Sequence, residues 1–221
     1  DYDQMSLDIQ QYYIKEAKQK LEEWSGTPIR SFRSPRVKTS ARTLRLLSDY
    51  GYLSDSSVCS QRIDFISSNT INGGWIRAPR QPYHPHREDP FKKGDLPIWE
   101  IPISAMMMPF ISSFLRVVGV RLTKVLFRLL YFEASRREKP IVYLAHPLEF
   151  VGKPHHRVKL YHFSPSFIRT HGLRLRNFLY WMDGETCLES TRELFAYMAS
   201  FPNVTFMTVN QYVTQCLDAK S

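Results

Sequence analysis

Apolar residues recur along the chain at two spacings, which predict alternating helices and strands. From Ser6 to Trp24 they fall three, four or seven positions apart, as in a helix with one apolar face, and Gly26 can end that helix. Short runs at 28–33 and 52–55 have the length of strands, with a further helical pattern between them. This alternation predicts an α/β fold.

The longest helical pattern runs from Ile111 to Phe132. Arg121, Lys124 and Arg128 share one stripe of this pattern. The opposite arc carries the apolar residues Leu115, Val118, Leu122, Val125, Leu126 and Leu129. We expect this arc to be buried and the basic stripe to be solvated, although a basic helix of this kind can also lie on anionic lipid. Four basic residues within the pattern argue against a membrane span.

Between residues 60 and 96 the chain is rich in proline, which precludes long regular elements. The aromatic and polar residues of this loop, among them Tyr83, suit stacking on sugar rings, but they suit an ordinary solvated loop equally well. His84 and His86 lack a third ligand at a metal-binding spacing, so we predict no metal site there.

Two short strand-like runs end in a polar residue, with a proline one or two positions further on. The run 141–145 stops at His146-Pro147, which indicates an interior strand that delivers an imidazole to its C-terminal end. The run that contains Phe32 ends in the same way at Arg33 and Pro35. In α/β folds the C-terminal ends of strands are where chemistry takes place, although His146 could instead only cap its strand.

These two elements resemble motifs of the polysaccharide deacetylase family, carbohydrate esterases that remove N-acetyl or O-acetyl groups from sugars. Phe32-Arg33-Ser34-Pro35 is similar to the Arg-x-Pro motif of the family, and Leu144-Ala145-His146 to its Leu-x-His motif. The likeness continues through 43–57, 83–104, 179–185 and 201–204. It implies a distorted (β/α) barrel within the α/β class. It also implies one catalytic domain, of which residues 1–221 form the C-terminal part.

The metal site of that family has no counterpart in the sequence. The family builds it from an Asp-Asp pair and two histidines on its first strands, whereas this chain has no Asp-Asp pair and its first histidine is His84. We therefore expect the metal ligands and the carboxylate base upstream of Asp1. The resemblance implies a divalent metal, with zinc the first choice. A barrel without its first strands would expose an unpaired edge, which favours a missing segment over a metal-less homologue.

The resemblance also implies roles for individual residues. His146 would be the general acid that protonates the leaving amine, and Arg33 would orient the carboxylate base and keep it ionised. Asp55 is a candidate partner for Arg33. The positions that we expect at the substrate are Leu144, Pro35, Trp99, Tyr83 and Asp55.

The net charge and the distribution of basic residues limit the classes of partner that the chain can bind. The net charge of +9 is compatible with nucleic acid, but the basic residues are dispersed and no nucleic-acid-binding motif occurs. The resemblance implies an acetylated poly- or oligosaccharide as the partner, and an anionic glycan or membrane surface would suit the charge. A glycan-binding pseudoenzyme and a basic module for an anionic surface therefore stay open as alternatives to the enzyme.

Overall fold

Helices alternate with very short strands along the chain. The computed structural model describes residues 2–62, 73–151 and 180–220. The helices are α1 (Leu7–Ser25), α2 (Ala41–Asp49), α3 (Gly73–Arg77), α4 (Ser112–Arg137), α5 (Gly184–Ala199) and α6 (Val209–Tyr212), the last followed by a π-helical turn (Val213–Leu217). The strands are β1 (Ser31–Phe32), β2 (Ser54–Asp55), β3 (Trp99–Glu100), β4 (Ala105–Met106) and β5 (Met108–Pro109).

Tertiary contacts divide the chain into two units. Unit 1 comprises Asp1–Ser60, Arg77–Pro102 and Phe206–Ser221, and unit 2 comprises Gln61–Ile76 and Ile103–Thr205. Each unit has a hydrophobic core of its own. The buried core of unit 1 consists of Tyr2, Ile14, Leu44, Leu46, Leu47, Tyr52, Leu96 and Ile98. The buried core of unit 2 consists of Phe110, Leu126, Phe127, Leu130, Leu194 and Met198.

A parallel sheet in the order β1-β2-β3 organises unit 1. Its register aligns Phe32 with Asp55, and Asp55 with Glu100. Aligned residues on neighbouring strands point to the same face of a sheet, so the two carboxyl side chains become neighbours. The expected α/β character is therefore present. The described residues pair as a small open sheet, and closure into a barrel stays a prediction.

The helix boundaries of unit 1 follow the local signals in the sequence. α1 ends at Gly26 in the left-handed conformation, with φ 63°, and the Ser40 hydroxyl caps α2 by accepting a hydrogen bond from the Thr43 N–H at 3.2 Å. The apolar face predicted for α1 is only partly buried. Ile14 is fully buried, whereas Trp24 is 81% exposed.

The core of unit 2 is built where α4 packs against α5. Aromatic rings fill much of it: the Phe127 ring lies 5.2 Å from that of Phe201 and 6.1 Å from that of Tyr197, centroid to centroid. Edge-to-face pairs of this kind add to the hydrophobic stabilisation of a core. Strands β4 and β5 form a tight antiparallel hairpin beside this core.

The apolar run 141–145 does not form the full interior strand that the sequence predicts. It is extended and makes one parallel bridge, between Leu144 and Ile111, with the Leu144 N–H donating to the Phe110 carbonyl at 3.2 Å. His146 follows at its C-terminal end, as predicted, and a 3-10 turn begins at Pro147.

The predicted long helix is present as α4, but its predicted buried face is partly wrong. Leu115 and Leu126 are buried, whereas Leu122, Val125 and Leu129 are 56%, 53% and 49% exposed. The buried face also includes the polar residues Ser112, Ser113, Arg116 and Thr123. Within the described ranges, no helix is long and apolar enough to cross a membrane.

Candidate functional site

A pair of buried carboxyl groups lies at the centre of unit 1. Asp55 and Glu100 are both fully buried on adjacent parallel strands. One Asp55 oxygen, Oδ1, accepts a hydrogen bond from the Ser57 hydroxyl at 2.7 Å. The Glu100 Oε1 accepts from the backbone N–H groups of Ser57 and Val58, at 3.1 and 2.9 Å. The remaining oxygens, Oδ2 and Oε2, have no other hydrogen-bond partner.

We infer that the carboxyl groups of Asp55 and Glu100 share a proton. Asp55 and Glu100 are hydrogen-bonded to each other, and two carboxyl groups can form such a bond only when one of them is protonated. Burial raises the pKa of Asp55 to about 6. Burial, and then the charge of Asp55, hold the pKa of Glu100 well above its usual range. The pair therefore carries one negative charge and one proton near neutral pH.

Arg33 lies at the C-terminal end of β1, beside this pair. Its Nε donates to the Ser56 carbonyl at 2.8 Å and its Nη2 to the Ser56 hydroxyl at 2.7 Å. Burial lowers the pKa of Arg33, and the negative charges of Asp55 and Glu100 offset part of that effect. Asp55, the partner that we expected, thus acts on Arg33 through its charge, whereas Ser56 fixes the geometry of the guanidinium.

The backbone just after Arg33 is strained. Arg36 and Val37 have φ angles of 59° and 57°, in the left-handed region that L-amino acids rarely adopt. For the β-branched Val37 this conformation is a true outlier, and it is held by burial of the side chain. Strain of this kind, on the order of 1–3 kcal/mol per residue, tends to persist at functional sites, which supports the Arg33 segment as a candidate site.

The two aromatic residues expected at the substrate differ in exposure. Tyr83 is 2% exposed, and its hydroxyl donates to the Pro90 carbonyl at 2.6 Å, so it presents almost no surface to a sugar. Trp99 is half-buried: its ring lies 3.8 Å from that of His84, and its Nε1 donates to Asp218 at 3.1 Å. Trp99 therefore offers more surface for stacking than Tyr83 does.

His146 is exposed in unit 2, and its backbone is anchored on both sides. Its N–H donates to the Ser112 hydroxyl at 3.3 Å, and its carbonyl accepts from the Glu149 N–H at 2.9 Å. The Glu149 carboxylate in turn accepts from the hydroxyls of Ser112 and, at 2.7 Å, Ser113, at the N-terminus of α4. A carboxylate is stabilised at a helix N-terminus. These contacts fix the turn that carries the imidazole.

The expected site residues divide between the two units. Unit 1 contains Arg33, Pro35, Asp55, Tyr83 and Trp99, and unit 2 contains Leu144 and His146. Pro35 is exposed at the start of a 3-10 turn, and Leu144 is 5% exposed. The roles assigned to these residues stay predictions.

The described residues do not fit a divalent metal. Within residues 2–62, 73–151 and 180–220, no group of three or more His, Cys, Asp or Glu side chains is arranged to hold a metal ion. Asp55 and Glu100 supply two carboxyl groups, but these are hydrogen-bonded to each other, and no third ligand joins them within these ranges. A metal site of the expected kind would need ligands from outside these ranges.

Sequence reasoning missed Glu100 and Glu149. Glu100 interrupts the apolar sequence Ile98-Trp99-Glu100-Ile101, and a charged residue in such a run signals a buried carboxyl group. Only the register of β2 and β3 reveals that its neighbour is Asp55. Glu149 has no comparable signal, because its partners Ser112 and Ser113 lie more than thirty residues away along the chain.

Comparisons with known proteins show a structural similarity at the level of the fold. No protein-family model matches the chain, and no curated protein matches it by sequence. Among solved structures, the chain is similar to one described as "Crystal structure of putative polysaccharide deacetylase from Mycobacterium smegmatis", with a TM-score of 0.57 and 15% sequence identity. The match covers 97% of this chain and 58% of that one. At this identity the likeness shows a related fold and no more.

Proposed function

We propose that this chain belongs to a hydrolase that removes acetyl groups from acetylated poly- or oligosaccharides. The observation that carries the proposal is the structural likeness, over 97% of the chain, to a protein described as "putative polysaccharide deacetylase". Two motif-like elements support it, because Arg33 follows β1 beside a buried carboxyl pair and His146 ends an extended segment in an exposed position.

The chemistry of deacetylation assigns different tasks to these two residues. Water attacks the acetyl carbonyl, and the nitrogen or oxygen that leaves must gain a proton as its bond to carbon breaks. His146 is our candidate proton donor, since its ring is exposed and its backbone is fixed by Ser112 and Glu149. Arg33 is our candidate for orienting the carboxylate that accepts the proton of the water.

The described residues do not supply the ligands that the proposed metal ion would need. The family resemblance implies a divalent ion such as zinc, and we propose that its ligands come from parts of the protein beyond the described residues. We assign no step of the reaction to that ion, because the described residues form no site for it.

The test is acetate release from an acetylated oligosaccharide by the intact protein. His146→Ala should lower kcat by about 10²- to 10⁴-fold with little change in KM, the range for loss of a general acid. His86→Ala, which removes an exposed histidine from a loop of unit 1, is the matched control and should retain wild-type turnover. Near wild-type turnover of His146→Ala would exclude His146 as the acid.

The same assay separates the enzyme from a glycan-binding pseudoenzyme. Wild-type protein that binds the oligosaccharide and releases no acetate would contradict the enzymatic proposal. Arg33→Lys adds a second measurement, because an ammonium group cannot reproduce both guanidinium contacts to Ser56. That variant should lose activity and shift the acidic limb of its pH–rate profile upward, since the base loses an oriented cation.

A further inference from the structure

An exposed row of apolar side chains runs along α4. Leu122, Val125, Leu129 and Phe132 are 56%, 53%, 49% and 57% exposed. They occupy positions i, i+3, i+7 and i+10, so they form one stripe on the helix surface, about 15 Å long from the rise of 1.5 Å per residue. The opposite face of α4 already packs in the core of unit 2. The exposed row is therefore a second apolar face, which lies outside the core formed by the described residues of unit 2.

Arginines border this row, and α4 itself carries a single acidic residue, Glu133. Arg121 and Arg128 are exposed along its flank, and the guanidinium carbon of Arg136 lies 3.9 Å from the centroid of the Phe132 ring. Glu133, the nearest acidic residue on α4, is 13% exposed, and its Oε2 lies 3.0 Å from the Lys139 Nζ. The row therefore lies in a positive electrostatic environment.

We propose that this face of α4 docks on a membrane surface that contains anionic phospholipid. The apolar row can enter the boundary between headgroups and acyl chains, while the flanking guanidinium groups bind lipid phosphates. Apolar residues bordered by basic ones are typical of helices that lie in the plane of a bilayer. The proposal is independent of the deacetylase proposal, because it involves none of the candidate catalytic residues.

Charge and shape favour lipid over two other occupants. A second copy of the chain that paired through the same row would bring its arginines close to Arg121 and Arg128, and like charges repel. An acidic amphipathic helix normally binds in a groove between elements. The exposed row instead follows a single helix, which suits a flat surface.

Vesicle flotation tests the charge requirement. Wild-type protein should float with vesicles of phosphatidylcholine and phosphatidylglycerol, should float poorly with phosphatidylcholine alone, and should dissociate as salt is added. The double variant Arg121→Ala/Arg128→Ala should weaken partitioning about thirtyfold, from about 1 kcal/mol per basic residue near an anionic surface. Lys15→Ala/Lys20→Ala removes the same charge from exposed positions of α1 and should bind like the wild type.

A second pair of variants tests the apolar row. Leu129→Ser/Phe132→Ser should weaken partitioning by about tenfold or more at any salt concentration, because about half of each side chain is available to insert. Leu21→Ser/Trp24→Ser, at exposed positions of α1, is the matched control. Circular dichroism verifies that each variant is folded, as expected for exposed positions.

Three results would overturn the proposal. The first is equal binding to neutral and anionic vesicles, or no binding to either kind. The second is an equal loss of binding in the α1 controls. The third is a concentration-dependent dimer in sedimentation equilibrium that Leu129→Ser/Phe132→Ser dissociates, which would assign the face to a second copy of the chain.

Discussion

Replacing Glu100 by Gln should make the stability of the protein less sensitive to alkali. The Gln amide is nearly isosteric with the carboxyl group, and its oxygen can still accept hydrogen bonds from the Ser57 and Val58 N–H groups. Its NH₂ group can donate to the Asp55 carboxylate, in place of the proton that we infer for the wild type. The variant thus replaces a proton that can dissociate by one that cannot.

The size of the effect follows from proton linkage. The raised pKa values of Asp55 and Glu100 mean that the folded protein holds a proton that the unfolded chain releases near pH 4. The stabilisation by this proton is fully present below the pKa that the carboxyl groups have in the unfolded chain. It is lost as the pH rises through their pKa in the folded protein. For one proton, the free energy of unfolding falls by about 1.4 kcal/mol per pH unit. For each pH unit over which Glu100 keeps its proton, the wild type should lose up to about 1.4 kcal/mol relative to Glu100→Gln.

Urea unfolding followed by circular dichroism at pH 6, 7 and 8, at constant ionic strength, measures this difference. Glu185→Gln removes an exposed carboxylate and controls for the change in net charge. The difference in stability between Glu100→Gln and wild type should rise steadily with pH, whereas that for Glu185→Gln should stay flat. Parallel stability curves for wild type and Glu100→Gln would refute the shared proton.

Two other perturbations test local features of the fold. Gly94→Ala should destabilise the protein by about 2–3 kcal/mol, because the new Cβ would overlap the Cα of His86. Gly73→Ala is the control and should be nearly neutral, since no atom lies within 4 Å of its new Cβ. Equal melting temperatures for the two variants would contradict this prediction. The Thr186 N–H donates to Asp183 at 2.8 Å and holds the pKa of Asp183 below its usual value. The ionised Asp183 therefore stabilises the folded protein above the pKa that it has in the unfolded chain, and this stabilisation is lost as the pH falls through its pKa in the folded protein. Asp183→Asn should therefore flatten the acid limb of the stability curve below about pH 4, and an unchanged acid limb in urea unfolding would rule the contribution out.

Local signals in the sequence predicted the helices well. Gly26 ends α1 as expected, and Ser40 caps α2, because capping depends on a single residue and its immediate neighbours. The buried face of α4 could not be predicted in the same way. This helix is apolar over most of its circumference, so periodicity alone does not show which apolar arc faces the core and which faces solvent.

The candidate site was predictable only in its parts. Arg33 and His146 stand out because each ends a strand-like run, with a proline one or two positions further on. The shared proton depends on the register that places Asp55 beside Glu100, 45 residues later in the sequence. The anchoring of His146 by Ser112 likewise depends on tertiary structure, since the contact joins the start of α4 to a distant turn.

The proton between Asp55 and Glu100 also limits how these two positions can vary during evolution. An amide can replace either carboxyl group and still donate or accept the bond between them, so Asp with Gln, or Asn with Glu, are compatible pairs. Two amides would remove the negative charge that offsets the burial of Arg33. Two permanently ionised groups would repel each other in a buried site. We therefore expect homologues with this sheet to change the two positions in concert, so that covariation of 55 with 100 would mark the pair in a sequence alignment.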